Sequence, residues 1–221
     1  MAESSTTTTR VKLLDAAERL FAQTGIGGTS LRAITSEANT NLASIHYHFG
    51  GKEALLQAVF ARRIEPVNKE RIELLDKTES TSVDPELEDI IRAFVKPALG
   101  LLKSLDHGGA NVMQLMGRLY SEPGEFKFAV LHLFEEVAER FSAALNRAVP
   151  ALPPDELFWR FHFMIGSMAF TLVAGDIIEH RSEGHISLDD VDANVERLVS
   201  FAAGGLRAPL PNFEHAKGPT Q

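Results

Sequence analysis

From Arg10 onward, apolar residues recur at helical spacing between short breaks, and no stretch shows the strict apolar–polar alternation of a strand. Val11, Leu14, Ala17, Leu20 and Phe21 predict a first helix over 10–24, which Gly25 ends and Gly27-Gly28 follow as a loop. Leu31, Ile34 and Ala38 fall at i, i+3 and i+7 and predict a second helix over 32–38, with Ser30 or Thr29 as its cap. Asn39 suits the turn, because after Gly it is the residue that best tolerates positive φ. Asn41 then caps a third helix with Leu42, Ile45 and Phe49 as its buried stripe, ended by Gly50-Gly51. Ala43, Ser44, His46, Tyr47 and His48 stay on its open side.

Beyond Lys52 the pattern predicts a helix to about residue 76, bent or broken around Pro66. Helices follow over 86–105 (kinked at Pro97), 111–120, 125–148, 155 to about 180, and 188–206. The breaks are Ser80–Pro85, His107-Gly108-Gly109, Glu122-Pro123-Gly124 and Pro150–Pro154. Residues 1–9 and 207–221 read as disordered. There is no internal repeat, and the expected fold class is all-α.

Two short helices across a tight turn, the second with small and polar residues outward, are what is needed to lay a helix in the major groove of DNA. Small residues such as Ala43 and Ser44 let the backbone approach base edges, while Ser44, His46 and His48 can hydrogen-bond bases or phosphates. Tyr47 and Lys52 reach phosphates, and Ser30, Arg32 and Asn41 complete the candidate contact set. An ordinary helical hairpin is the plain alternative; the preceding helix, which makes a unit of about fifty residues, weighs against it.

Residues 10–60 resemble the DNA-binding domain of the TetR family of bacterial transcriptional regulators. The likeness is carried by Leu14-Asp15-Ala16-Ala17 with Leu20-Phe21, the Gly-x-x-x-Thr-Ser segment at 25–30, Arg32 with Ile34, and Tyr47-x-Phe49-x-x-Lys52-Glu53-x-Leu55. Asn39-Thr40 stands where Gly-Val is usual, and His46 where Tyr is common. A narrower likeness, to PsrA-type regulators that respond to long-chain fatty acids, runs through 31–36, 41–52, 54–60, 152–164 and 201–204. The resemblance implies a helix-turn-helix domain over 10–55 and a ligand-binding and dimerisation domain over 56–206. It further implies a homodimer built as a four-helix bundle from the last two helices, a double-stranded DNA operator, and a small apolar or acyl ligand.

The net charge of −8 at first opposes a DNA partner, but its distribution does not: residues 1–52 carry +1 and the remainder −9. Groove reading needs local positive charge only. The absence of cysteine excludes a disulfide framework, a thiolate zinc site and a catalytic thiol. The first residues, Met1-Ala2-Glu3-Ser4-Ser5 and four Thr, lack a basic start and an apolar run, so a cytoplasmic protein is expected. Phe158–Gly175 is apolar for about one membrane thickness, yet it contains Arg160 and His162. A helix apolar on nearly all sides is buried on all sides. A dimer core, with Gly166, Ser167 and Ala169 permitting close approach, is therefore favoured over a membrane span.

Residues 111–120 also lack a polar face, as plain core or as one wall of a ligand cavity. For the second reading the lining would be Met113, Met116, Tyr120, Phe134, Phe163, Met164, Ser167 and Phe170, with Phe126 and Phe128. Arg118 would anchor a carboxylate, or pair with Glu122 at i+4. No cofactor or metal is expected: His46 and His48, two apart, do not share a helix face, and Glu135, Glu136 and Glu139 read as a solvated face. Gly50-Gly51-Lys52 lacks phosphate-loop spacing and no Gly-x-Ser-x-Gly occurs, so no enzyme is expected. The expectation is a ligand-released repressor of fatty-acid metabolism genes. The alternatives are a drug- or metabolite-responsive regulator of an efflux operon and, in another class, a helical lipid carrier.

Overall fold

The computed structural model describes residues 2–103, 109–121 and 126–212, without the side chains of 2–6, 109, 110, 120, 126 and 127. The described residues are helical and loop, with no strand.

Helix α1 spans Ala2–Thr24, so the expected irregular leader before Arg10 is instead the start of the helix. Extending an existing helix is cheap compared with nucleating one, and each Thr costs at most about 0.7 kcal/mol relative to Ala. Helices α2 (Leu31–Glu37) and α3 (Leu42–Phe49) complete the N-terminal unit. Its core is Leu14, Ala17, Phe21, Ile34, Ala38 and Ile45, all buried. Two expected core positions are not: Val11 and Leu42 are 45% and 40% exposed, because they lie at the edges of stripes that Leu14 and Ile45 centre.

Helix α4 runs unbroken from Lys52 to Thr81, with Pro66 inside it. At 1.5 Å per residue it is roughly 45 Å long. Pro66 faces solvent, and the lost backbone bond is outweighed by packing on both sides of it: Leu55, Leu56, Val59 and Phe60 in one core, Leu75 in the other. Helix α5 (Leu87–Gly100) carries the buried Pro97 and passes into a 3₁₀ turn at 101–103, ending short of residue 105. Helix α6 covers Gly109–Ser121.

The single helix expected over 125–148 is three pieces: α7 (Phe126–Ala129), a 3₁₀ turn (Leu131–Phe134) and α8 (Glu135–Ala148). Val130, 1% exposed, turns inward between the first two and breaks the helical path. The helix expected to reach residue 180 divides into α9 (Pro154–Ala174) and α10 (Asp176–Arg181). The break falls at Gly175, where an added Cβ would lie 2.3 Å from Leu188 Cδ1. Helix α11 (Val191–Arg207) closes the body, and residues 213–221 of the expected tail lie outside the described ones.

Helix α5 is the centre of the body, packed on α4, α8, α9 and α11. Helix α6 packs against α1 and α9. The N-terminal core continues into the body through Leu115, Leu119 and Val130.

Candidate nucleic-acid interface and ligand cavity

The turn before α3 is held by its own polar atoms. Ser30 Oγ accepts the Ala33 N–H at 3.1 Å and caps α2, while Thr29 is buried and donates to the Gly25 carbonyl at 2.6 Å. Asn39 takes φ +51°, the left-handed conformation expected of it. Asn41 Oδ1 accepts the Ser44 N–H at 3.0 Å and the Ser44 hydroxyl at 3.1 Å. Gly50, at φ +86°, ends α3. The Thr40 hydroxyl, also in the turn, is buried without a hydrogen-bond partner and was not among the predicted contacts.

Ser30, Arg32, Asn41, Ala43, His46 and Tyr47 are exposed; Ser44, His48 and Lys52 are half-buried. Tyr47 is 78% exposed and packs edge-on against His48, at 5.0 Å between ring centroids. His46 Nδ1 lies 3.2 Å from the Gly50 carbonyl oxygen, so its ring also closes the C-terminal end of the helix. Arg10 stacks over Phe49 at 5.2 Å, which brings a cation from α1 beside α3.

In the body a cavity of about 460 Å³ lies between α4, α6, α9 and the segment 128–138. Its walls are apolar except for Arg63, Asn68, Arg71 and His162. Met113, Met116 and Phe134 line it as predicted, and so does Phe128. Four other predicted residues do not: Phe163 and Phe170 are 61% and 66% exposed on the outer face of α9, Met164 is buried in the body core, and Ser167 bonds back to the Phe163 carbonyl. The error is one of helical phase, since Phe161, Ile165, Met168 and Leu172 are the cavity face of α9. Arg118 is likewise outside the cavity: it donates to the Ala22 and Gln23 carbonyls at 3.4 Å each, at the C-terminal end of α1. Tyr120's side chain, Phe126's and the expected partner Glu122 lie outside the described residues.

The α4 wall was missed altogether. Arg71 is 4% exposed and donates to the Phe94 carbonyl (2.8 Å) and Asn68 Oδ1 (3.1 Å), with its guanidinium 4.1 Å above the Phe94 ring. Asn68 in turn donates to the Leu133 carbonyl at 2.6 Å. Ile64, Asn68, Arg71 and Leu75 form a buried stripe at helical spacing, and polar members inside such a stripe were the available signal. Nearer the N-terminal unit, Arg63 and Arg62 both bind Glu18 of α1, and Arg62 also binds Asp15 at 2.6 Å. Burial pulls the Arg62 guanidinium down, but its hydrogen bonds to the Asp15 and Glu18 carboxylates outweigh it and leave it above its ordinary value.

The outer face of α9 carries Phe158, Trp159, Phe163 and Phe170, all more than half exposed, and Phe201 of α11 is 68% exposed. Trp159 and Phe163 stack at 5.8 Å. Helix α9 is long and apolar enough to cross a membrane, the only such helix among the described residues.

The description of the tetR family of bacterial regulatory proteins matches residues 13–59, and that of the tetracyclin repressor-like C-terminal domain matches 92–205. The chain is similar to the nicotine-responsive transcriptional repressor HdnoR of Paenarthrobacter nicotinovorans, at 36% identity over 106 residues, which is 47% of this chain and 55% of that protein. It is also similar to the transcriptional regulator SrpR of Pseudomonas putida, 30% identical over 39% of this chain and 38% of that one. It thus spans about half the length, or less, of these curated relatives. In fold it is similar to the fatty acid degradation regulator FadR of Bacillus halodurans, with TM-score 0.65, 14% identity, and coverage of 91% of this chain and 97% of that one. FadR of Bacillus subtilis in complex with stearoyl-CoA gives TM-score 0.64 at 14% identity, covering 88% and 98%. With one description matching the N-terminal unit and the other spanning half the chain, the protein belongs to the tetR family of bacterial regulatory proteins.

Proposed function

We propose that this protein is a homodimeric repressor released from a palindromic operator by a long-chain fatty acid or its CoA ester, and that it controls fatty-acid metabolism genes. The observation that carries the ligand class is the cavity of about 460 Å³, walled by aliphatic, Met and Phe side chains with few polar groups. That volume is in the range of small-molecule sites, roughly 300–1,000 Å³. Flexible Met113, Met116 and Met168 adapt to a chain without fixed shape. The likeness in fold to regulators of fatty acid degradation supports the reading.

The DNA-reading face is Ser30, Arg32, Asn41, Ala43, Ser44, His46, Tyr47, His48 and Lys52, with Tyr47 and Lys52 on phosphates and Arg32, Ser44 and His46 at base edges. The exposed aromatic face of α9, with α11, packs against a second copy. Two reading helices then meet successive major grooves about 34 Å apart. Ligand favours a state of the body in which that spacing is lost, and so shifts the population off the operator.

Calorimetric titration with fatty acids of eight to eighteen carbons tests the ligand class. Each buried CH₂ contributes about 0.8 kcal/mol, so affinity climbs with length until the cavity fills. A flat series, with tighter binding of compact aromatic amines, would establish instead the drug- or metabolite-responsive alternative that the similarity to HdnoR favours.

A further inference from the structure

A fatty acid in an apolar cavity must place its carboxylate in water or against a cation, because an unpaired buried charge is strongly disfavoured. Two guanidinium groups line the cavity, both from α4: Arg63 and Arg71. They are eight residues apart, about 12 Å along the helix, so one carboxylate meets one of them. Arg71 is held by the Phe94 carbonyl, Asn68 and the Phe94 ring, and stays 4% exposed. Arg63 keeps 34% of its side chain exposed and can turn.

Arg63 also reaches out of the body. Its Nε and Nη2 donate to Glu18 of α1 at 3.0 and 2.6 Å, and Glu18 is 3% exposed. Arg62 binds the same carboxylate, so Glu18 keeps a cation when Arg63 leaves it. Within this group Asp15 and Glu18 balance Arg62 and Arg63. A third carboxylate arriving at Arg63 leaves three acids sharing two guanidinium groups.

Resting on the acyl reading above, we propose that Arg63 is the residue that recognises the ligand's carboxylate. By exchanging Glu18 for that carboxylate it loosens α1 from α4 and carries occupancy to the DNA-reading unit. The ligand class is thereby a free long-chain acid, not a neutral lipid of the same length.

The test compares palmitate with 1-hexadecanol in the full-length protein, since the two share a chain and differ in charge. Wild type is expected to bind palmitate at least about tenfold more tightly, as a charge-assisted bidentate contact implies. R63Q brings palmitate to the level of the alcohol, while R63K keeps part of the preference. At saturating palmitate wild type releases a DNA fragment selected in vitro, whereas R63Q, which lacks the guanidinium contact with Glu18, binds that fragment more weakly even without ligand and is not weakened further by palmitate. If folded R63Q retains the acid preference, or wild type shows none, the carboxylate does not sit at Arg63; the proposal falls and the acyl cavity stands. If ligand-free R63Q holds the fragment as tightly as wild type, the Glu18 exchange is overturned. If neither probe binds wild type, the free-acid ligand falls and this proposal with it, while the CoA-ester form of the acyl reading is left to its own titration.

Discussion

At the scale of single residues, the reading unit depends on a few positions whose backbone or polar atoms are fully committed. Asn39 stands at φ +51°, where a β-branched residue is strained by roughly 1–2 kcal/mol. Asn39→Gly should hold or raise the melting temperature and Asn39→Val should lower it, as thermal denaturation followed by circular dichroism will show. Gly28→Ala should destabilise for a different reason: its Cβ would lie 2.8 Å from the Thr24 carbonyl oxygen, which is backbone and does not yield. On the DNA side, Lys52→Ala should weaken binding to all sequences alike and lower the salt slope by about one, measured by titration at several salt concentrations. Ser44→Ala and His46→Ala should each relax preference at one operator position, symmetrically in both half-sites, and cost roughly 1–3 kcal/mol for a lost base contact. Full wild-type affinity with an unchanged selected motif for His46→Ala would remove it from the base-reading set. The turn and the two caps were legible because their chemistry is local: Ser30, Asn39 and Asn41 each do what their own side chain dictates. Leu42 was misread because its burial is decided by the phase of α3 against α1 and α4, which no local rule supplies.

At the scale of elements, α5 and α11 are tied by Arg92 to Glu196 and Arg207 to Glu88. Hydrogen bonds from Arg92 and Arg207 hold the two carboxyls below their ordinary value of 4.5. A carboxyl lowered in the folded state adds stability above 4.5, and that contribution is lost as pH falls through its lowered value. Both pairs are exposed, so the effect is small and screened by salt. Acid denaturation of Glu196→Gln should therefore show a shallower loss of stability below pH 4.5 than wild type at low salt, and the same loss at high salt. The element boundaries that periodicity missed share a physical origin. Val130 and Gly175 both sit inside stretches of helical apolar spacing, and both breaks are shaped from elsewhere, by a core that takes up Val130 and by Leu188 occupying the space beside Gly175. Pro66 is the converse case, a helix breaker overridden by packing on either side. The cavity was half legible for the same reason: α6 was placed correctly through Met113 and Met116, whereas α9 was rotated to its outer face.

At the scale of the whole molecule, the apolar outer face of α9 asks for a partner. Phe163→Glu, on the stacked Trp159–Phe163 pair, should shift sedimentation at micromolar concentration from dimer toward monomer, given an interface of the order of 2,000 Å². A stable wild-type monomer would refute the dimer. The all-α architecture was readable along the chain because helical spacing persists through it. The division at residue 55 is less simple, since the N-terminal core recruits Leu115, Leu119 and Val130 from beyond it. Those three side chains should couple the folding of the N-terminal unit to that of the body. A fragment ending at residue 60 should remain largely unfolded, with flat far-ultraviolet melting. The intact chain should unfold in one calorimetric transition, and an acyl ligand bound in the body should raise its midpoint for the N-terminal unit and the body together.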